Sequence, residues 1–299
     1  MAPAATTLSA PSYVDPVMIK AAAANGDAIP VAAQKDFDVT QLFVAEKASR
    51  EAATAALLSL AEKDGPQALA NLGLAEALLK ALADKKSPAA REGAASTIKA
   101  LAKGPSSIAL ETVFVESGLL NALLETFADK TPAVRTVAIG AVRDVVKAQN
   151  PWAAPLVLPF LLLQIKTAGK WQVKTGALEI LNQLVKSAPS QTARAMPDIV
   201  PVLADAIWDT KAEVKKAARD TLTKATALVS NKDIERFIPA LISALINPVE
   251  EVPSTIQLLS ATTFVSEVDA PTLSLMVPLL ARGLTEKLTA TKRKVAVYV

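Results

Sequence analysis

The sequence contains no cysteine and no histidine. Their absence excludes thiol and imidazole nucleophiles, a Ser-His-Asp triad, imidazole acid–base catalysis, and thiolate or imidazole zinc sites. It also excludes a disulfide framework, which points to a reducing compartment. Aromatic residues make up only 4% of the 299 residues and glycine occurs 10 times. A core built without large rings must use small aliphatic side chains, which suits many closely packed helices better than one globular centre. Long apolar runs are missing too. The most apolar stretch, from Trp152 to Ile165, is too short to cross a bilayer and is interrupted by Pro155 and Pro159. Met1 to Ser12 has no basic segment followed by an apolar one, so no secretory signal is expected there.

What is present is alanine, leucine, valine and lysine, a helix-forming mixture, arranged with a period. REAATAALLSLA from Arg50 aligns without gaps on REGAASTIKALA from Arg91. The phase continues as PAVRTVA from Pro132, WQVKTGA from Trp171, AEVKKAA from Ala212, a degraded VPSTIQL from Val252 and ATKRKVA from Ala290. Arg50, Arg91, Arg135, Lys174, Lys215, Thr255 and Arg293 are thus equivalent, at steps of 41, 44, 39, 41, 40 and 38 residues. A step near forty is that of HEAT and armadillo units, longer than tetratricopeptide or ankyrin repeats.

The expected architecture is an all-α HEAT-repeat solenoid of about seven helical hairpins, truncated in the last, over residues 37–299, preceded by a disordered or capping segment over 1–36. Second helices are expected to start near 47, 88, 132, 171, 212, 252 and 290. First helices carry internal prolines at Pro159, Pro201, Pro239 and Pro278, each expected to kink its helix. Asp84, Asp129, Asp209 and Asn247 fall in the turns, where they are expected to cap the second helices. In the fifth unit Val214, Ala218, Leu222, Ala225 and Val229 define one buried face.

Catalytic chemistry is hard to find. Gly169-Lys170 lacks both the glycine five residues earlier, where Gln164 stands, and the Ser or Thr after the lysine, where Trp171 stands, so it is no phosphate loop. Glu250 and Glu251 read as a solvated pair in a turn beside Pro253. No catalytic residue and no metal site is expected.

Charge is distributed unevenly. Residues 1–165 carry 15 basic and 16 acidic side chains, 166–236 carry 12 and 8, 237–281 none and 4, and 282–299 carry 5 and 1. Positions of one phase in a solenoid lie along one edge. Lys170, Lys174, Lys211, Lys215 and Lys216, with Lys292, Arg293 and Lys294, are therefore candidates for a basic stripe that could track a phosphate backbone or an acidic partner. The plainer alternative is a structural ladder, in which the basic residue pairs with a turn aspartate; Asp84, Arg91, Asp129 and Arg135 are assigned to it. Trp152, Trp171 and Trp208 lie near turns, where an indole could stack on a base or pack on the next repeat, and Trp171, beside Lys170 and Lys174, is the candidate expected to be exposed.

KWQVKTGALEIL from Lys170, MPDIVPVLADAIWDTKAEVKKAA from Met196, NKDIERFIPALI from Asn231, SATTFVSEVDAPTLSLMVPLLARGL from Ser260 and KRKVAV from Lys292 resemble the N-terminal HEAT region of the fungal translation elongation factor 3 family. Before residue 165 the likeness is one of repeat phase and length. The resemblance implies a monomeric, cytoplasmic docking arm that contacts ribosomal protein and rRNA, with no DNA or membrane partner. It further implies two ATP-binding cassettes, using ATP and magnesium, in a portion absent from this chain, which assist late translocation and release of tRNA from the exit site. The alternatives are the similar segment of a general-control ribosome-associated activator, and a generic HEAT scaffold such as a nuclear transport receptor.

Overall fold

The computed structural model describes residues 37–104, 114, 117–262, 265–286 and 289–298. The expected N-terminal segment over 1–36 lies outside them. Among the described residues there are helices and turns and no strand, and no helix is long and apolar enough to cross a membrane. The protein is an all-α repeat solenoid.

Among the described residues seven units follow one another, the first a 3₁₀ turn with one helix and the rest helical hairpins. A 3₁₀ turn, Val39–Phe43, leads into α1, Lys47–Asp64. After a short α2, Pro66–Asn71, come α3, Leu74–Ala83, with α4, Pro88–Leu101, and α5, Leu119–Thr126, with α6, Pro132–Ala148. The fourth unit pairs α7, Ala154–Thr167, with α8, Trp171–Ser187. A short α9, Pro189–Arg194, precedes the fifth, α10, Met196–Ala206, with α11, Ala212–Thr226. After α12, Lys232–Glu235, the last units are α13, Ile238–Ile246, with α14, Pro248–Ser260, and α15, Ala270–Thr285, with α16, Thr289–Tyr298.

Helices form two layers because each has one apolar stripe and no hairpin can bury two alone. Second helices α1, α4, α6, α8 and α11 pack side by side, as do first helices α3, α5, α7 and α10. Val214, Ala218, Leu222, Ala225 and Val229 are all buried, as their spacing predicts. The core is one continuous aliphatic cluster. Phe114 and Phe127 are its largest fully buried side chains.

The stacking changes after the fifth unit. There α15 packs directly on α10, while the α13–α14 hairpin lies against α11 on one side and α15 and α16 on the other. Asp233 secures the connection: its carboxylate accepts the amide hydrogens of Ser266 at 2.7 Å and Val265 at 3.0 Å, and the Asn231 side-chain amide donates to the Glu267 carbonyl at 3.1 Å. The segment before α15 is thereby tied to the start of α12.

Several expectations are corrected. Pro239 does not interrupt a helix; it is the second residue of α13, where a missing amide hydrogen costs nothing, whereas Pro159, Pro201 and Pro278 do lie inside helices. The sixth second helix begins at Pro248, one turn before Val252, because proline at the first position suits a helix start. Glu250 and Glu251 therefore occupy the first helical turn, where the helix dipole favours them, and not a solvated turn.

Candidate binding edge

The turns between first and second helices lie along one edge of the stack, and their chemistry repeats. Asp84, Asp129 and Asp209 do not cap the second helices. They fold back on their own turns: Oδ1 accepts the amide hydrogens of Lys86 at 2.8 Å, Thr131 at 2.8 Å and Lys211 at 2.9 Å, respectively. The residues at the cap position are Ser87, Thr131 and Lys211, and of these Ser87 supplies a side-chain cap, accepting from the Ala90 amide at 3.1 Å. Asn247 does stand at the cap position of α14 but offers no side-chain bond.

The basic residues at this phase then bond to the turns, their own or that of the following repeat. Arg50 donates to the Val44 and Ala45 carbonyls at 2.9 and 2.8 Å and lies 3.4 Å from Glu92 of the next repeat. Arg91 donates to the Asp84 carbonyl and, through Nε and Nη2, to the Asp129 carboxylate at 2.6 and 3.2 Å. Lys174 crosses to Asp209 at 2.7 Å. Arg135 donates to the carbonyls of Asp129 at 2.6 Å and Lys130 at 3.1 Å, because the fourth turn has Ala168 where a carboxylate would stand. Arg50, Arg91 and Arg135 thus bond to their own turns, Arg50 and Arg91 add an acid of the following repeat, and Lys174 reaches the following turn alone. The Arg91 and Asp129 side chains are 11% and 8% exposed, so this rung is largely shielded from water.

These contacts set the carboxyl groups' acidity. Burial pushes Asp129 up, but the hydrogen bonds from Arg91 and the Thr131 amide, with the Arg91 charge, outweigh it and leave the group below the ordinary carboxylate value. The Lys174 ammonium, then the Lys211 amide, hold Asp209 down. The Ser266 and Val265 amides do the same for Asp233. A carboxyl group lowered by folding contributes stability that is complete above its unfolded pKa, about 3.9, and is lost as pH falls through the lower folded value. The urea midpoint should therefore stay level from neutral pH to about 5 and drop below about 4. Asp209→Asn should flatten part of that drop; an unchanged acid limb would show that the pair does not persist in solution.

The candidate residues separate by place. Lys170 and Lys211 are exposed at the turns, and Lys170 Nζ reaches the Ala128 carbonyl of the preceding repeat at 3.5 Å. Lys174 is spent on its rung and Lys215 is half-buried on α11. Lys216 faces a groove between α8 and α11 that also holds Glu179, Glu213 and Asp220, so its charge is locally offset. Lys292 and Arg293 are exposed on α16, while Lys294 donates to the Gln257 side chain. Trp171 is not an exposed platform: as the first residue of α8 it packs against the core, whereas Trp152 and Trp208 are 67% and 59% exposed.

The charge tally by segment concealed part of this edge. Lys85, Lys86 and Lys130 are exposed at the turns of the second and third units, where nearby acids cancel them in a running sum. Lys85, Lys130 and Lys170, from three successive repeats, line one shallow depression with Arg91 and Asp129 beneath and Glu125 at its side. Turn position was the signal available in the sequence.

The profile described as EF3 N-terminal HEAT repeat matches residues 50–222, and that described as Elongation factor 3/GNC1 HEAT repeat matches 250–299. The gap between them spans the place where the stacking changes. Elongation factor 3 of Mycosarcoma maydis is 48% identical over 299 residues, all of this chain and 28% of the relative. That of Gonapodya prolifera is 42% identical over 269 residues, 90% of this chain and 24% of the relative. The chain thus spans about a quarter of the length of these relatives. The crystal structure of Kap121p superposes with a TM-score of 0.52 at 14% identity, covering 84% of this chain and 27% of that one, a likeness of fold alone.

Proposed function

The chain belongs to the elongation factor 3 family, whose N-terminal HEAT region it matches, and from that premise we propose that it is the ribosome-docking scaffold of a longer translation factor. The observation that carries this reading is the turn edge, where four successive repeats present exposed lysines, Lys85 and Lys86, Lys130, Lys170 and Lys211. Rungs and turn aspartates fix the backbone of the second, third and fifth turns, so the charges there are held on an ordered support and bind without ordering a loop first. In the proposed whole protein, cassettes outside this chain bind ATP and magnesium and drive late translocation and release of tRNA from the exit site. The HEAT region acts in the cytoplasm as a monomer and supplies orientation and affinity, not chemistry.

Co-sedimentation of the chain with purified cytoplasmic ribosomes tests this. Binding should weaken as salt rises, and the triple variant Lys130→Glu, Lys170→Glu, Lys211→Glu should lower the pelleted fraction at least tenfold at low salt. Undiminished pelleting of that variant would remove the edge from the interface.

A further inference from the structure

α15 turns an apolar stripe outward. Leu273, Val277 and Leu284 are each between 44% and 52% exposed, and their spacings of four and seven hold them on one narrow arc of the helix. On the neighbouring α10, Asp198 and Asp205 stand exposed seven residues apart, and among the described residues neither carboxylate pairs with a cation. The two rows are brought together by the change in stacking, since α15 packs directly on α10 although the α13–α14 hairpin lies between them in sequence. No lysine or arginine occurs from 237 to 281, and Arg282, five positions past Val277, lies about 140° round α15 from it.

We infer that the outer face of α10 and α15 docks an amphipathic helix of a separate protein, its apolar side chains against Leu273, Val277 and Leu284 and its lysines or arginines against Asp198 and Asp205. The inference goes beyond ribosome docking and does not depend on it. This face runs along the bodies of two helices, whereas the turn lysines sit at helix ends, so both surfaces can be occupied at once. Rows that repeat every seven residues, about 10.5 Å, present the step of another helix lying alongside, whose side chains return to one face every two turns. Packed helices lie about 8–10 Å apart, which lets a third rest on both. An exposed apolar row beside unneutralised carboxylates selects a partner that brings apolar surface and positive charge together. An anionic membrane would meet the same carboxylates as repulsion.

The test is fluorescence anisotropy of the 299-residue chain with a labelled leucine–lysine helix, LKKLLKLLKKLLKL, as the probe. Leu273→Ser with Val277→Ser should weaken binding at least about tenfold. Asp198→Asn with Asp205→Asn should weaken it at least about fivefold at low salt and make its salt dependence shallower. The carboxylates are exposed, so this second variant should keep the parent's circular dichroism and urea midpoint. Unchanged affinity in either double variant overturns the inference, as does a leucine–glutamate peptide of the same pattern binding equally well. Ribosome pelleting of the serine variant should match the parent; a lost pellet would assign the face to the ribosome and overturn the separate partner. Self-association in sedimentation equilibrium that the serine variant abolishes makes a second copy the occupant, and binding to phosphatidylcholine vesicles that it abolishes makes a membrane the occupant; either result overturns the inference.

Discussion

Asp129→Ala is expected to lower the stability of the chain by about 3 kcal/mol. Asp129 accepts from Arg91 at 2.6 and 3.2 Å and from the Thr131 amide at 2.8 Å, so the substitution breaks a rung and loosens a turn together. The larger part of the loss lies in what remains. The Arg91 side chain, 11% exposed, would keep a full charge with only the Asp84 carbonyl for a partner. A buried ion pair adds little over an apolar pair of similar size, but half of one is costly. The double variant Arg91→Met, Asp129→Ala should therefore recover most of the loss. Asp209→Ala should cost less, about 1–2 kcal/mol, since Lys174 at 20% exposure can turn to water. Urea denaturation supplies the totals. Hydrogen exchange locates them, because stability in a solenoid is largely a sum over neighbouring repeats and faster exchange should centre on the α4–α6 contact. No recovery in the double variant would show that the pair is not the cause.

Gly176→Ala should cost about 2–3 kcal/mol by overpacking. A Cβ at Gly176 would lie 2.3 Å from Cδ2 and 2.9 Å from Cε2 of Phe127, and that ring is fully buried with nowhere to go. The glycine in α8 is the notch that admits the one large ring following α5. Adding Phe127→Leu should relieve much of the penalty, so the two substitutions together should cost less than their separate effects summed. Gly140 provides the contrast. A Cβ there meets first the Lys99 ammonium end at 3.1 Å, which can swing aside, so Gly140→Ala should be neutral or stabilise by up to about 1 kcal/mol through helix propensity. If both glycines responded alike, propensity and not the ring would govern the site.

The repeat was legible because stacking imposes one phase on every unit: the basic position and the buried face of α11 both follow from counting residues. The partner of each basic residue was not. Arg91 takes its carboxylate 38 residues onward, and no local pattern separates a turn aspartate that caps its own helix from one that serves the previous repeat. Trp171 and Trp208 look alike in sequence, each beside a turn lysine. What separates them is that Trp171 opens a second helix and packs against the core, while Trp208 lies in the turn just past the end of a first helix, exposed. Pro239 was misplaced because proline at a helix start and proline inside a helix read identically when the boundary is unknown.

The rung has a consequence for exchanging modules. Because Asp129 and Asp209 each hold their own turn and also receive a cation from the unit before, a repeat is specified partly by its predecessor. The fourth unit, with Ala168, can follow an arginine that is satisfied by carbonyls alone, whereas the third and fifth require a donor ahead of them. The hairpins therefore have an order of assembly written into them, and a shuffled array that ignored it would join correctly shaped blocks through mismatched seams.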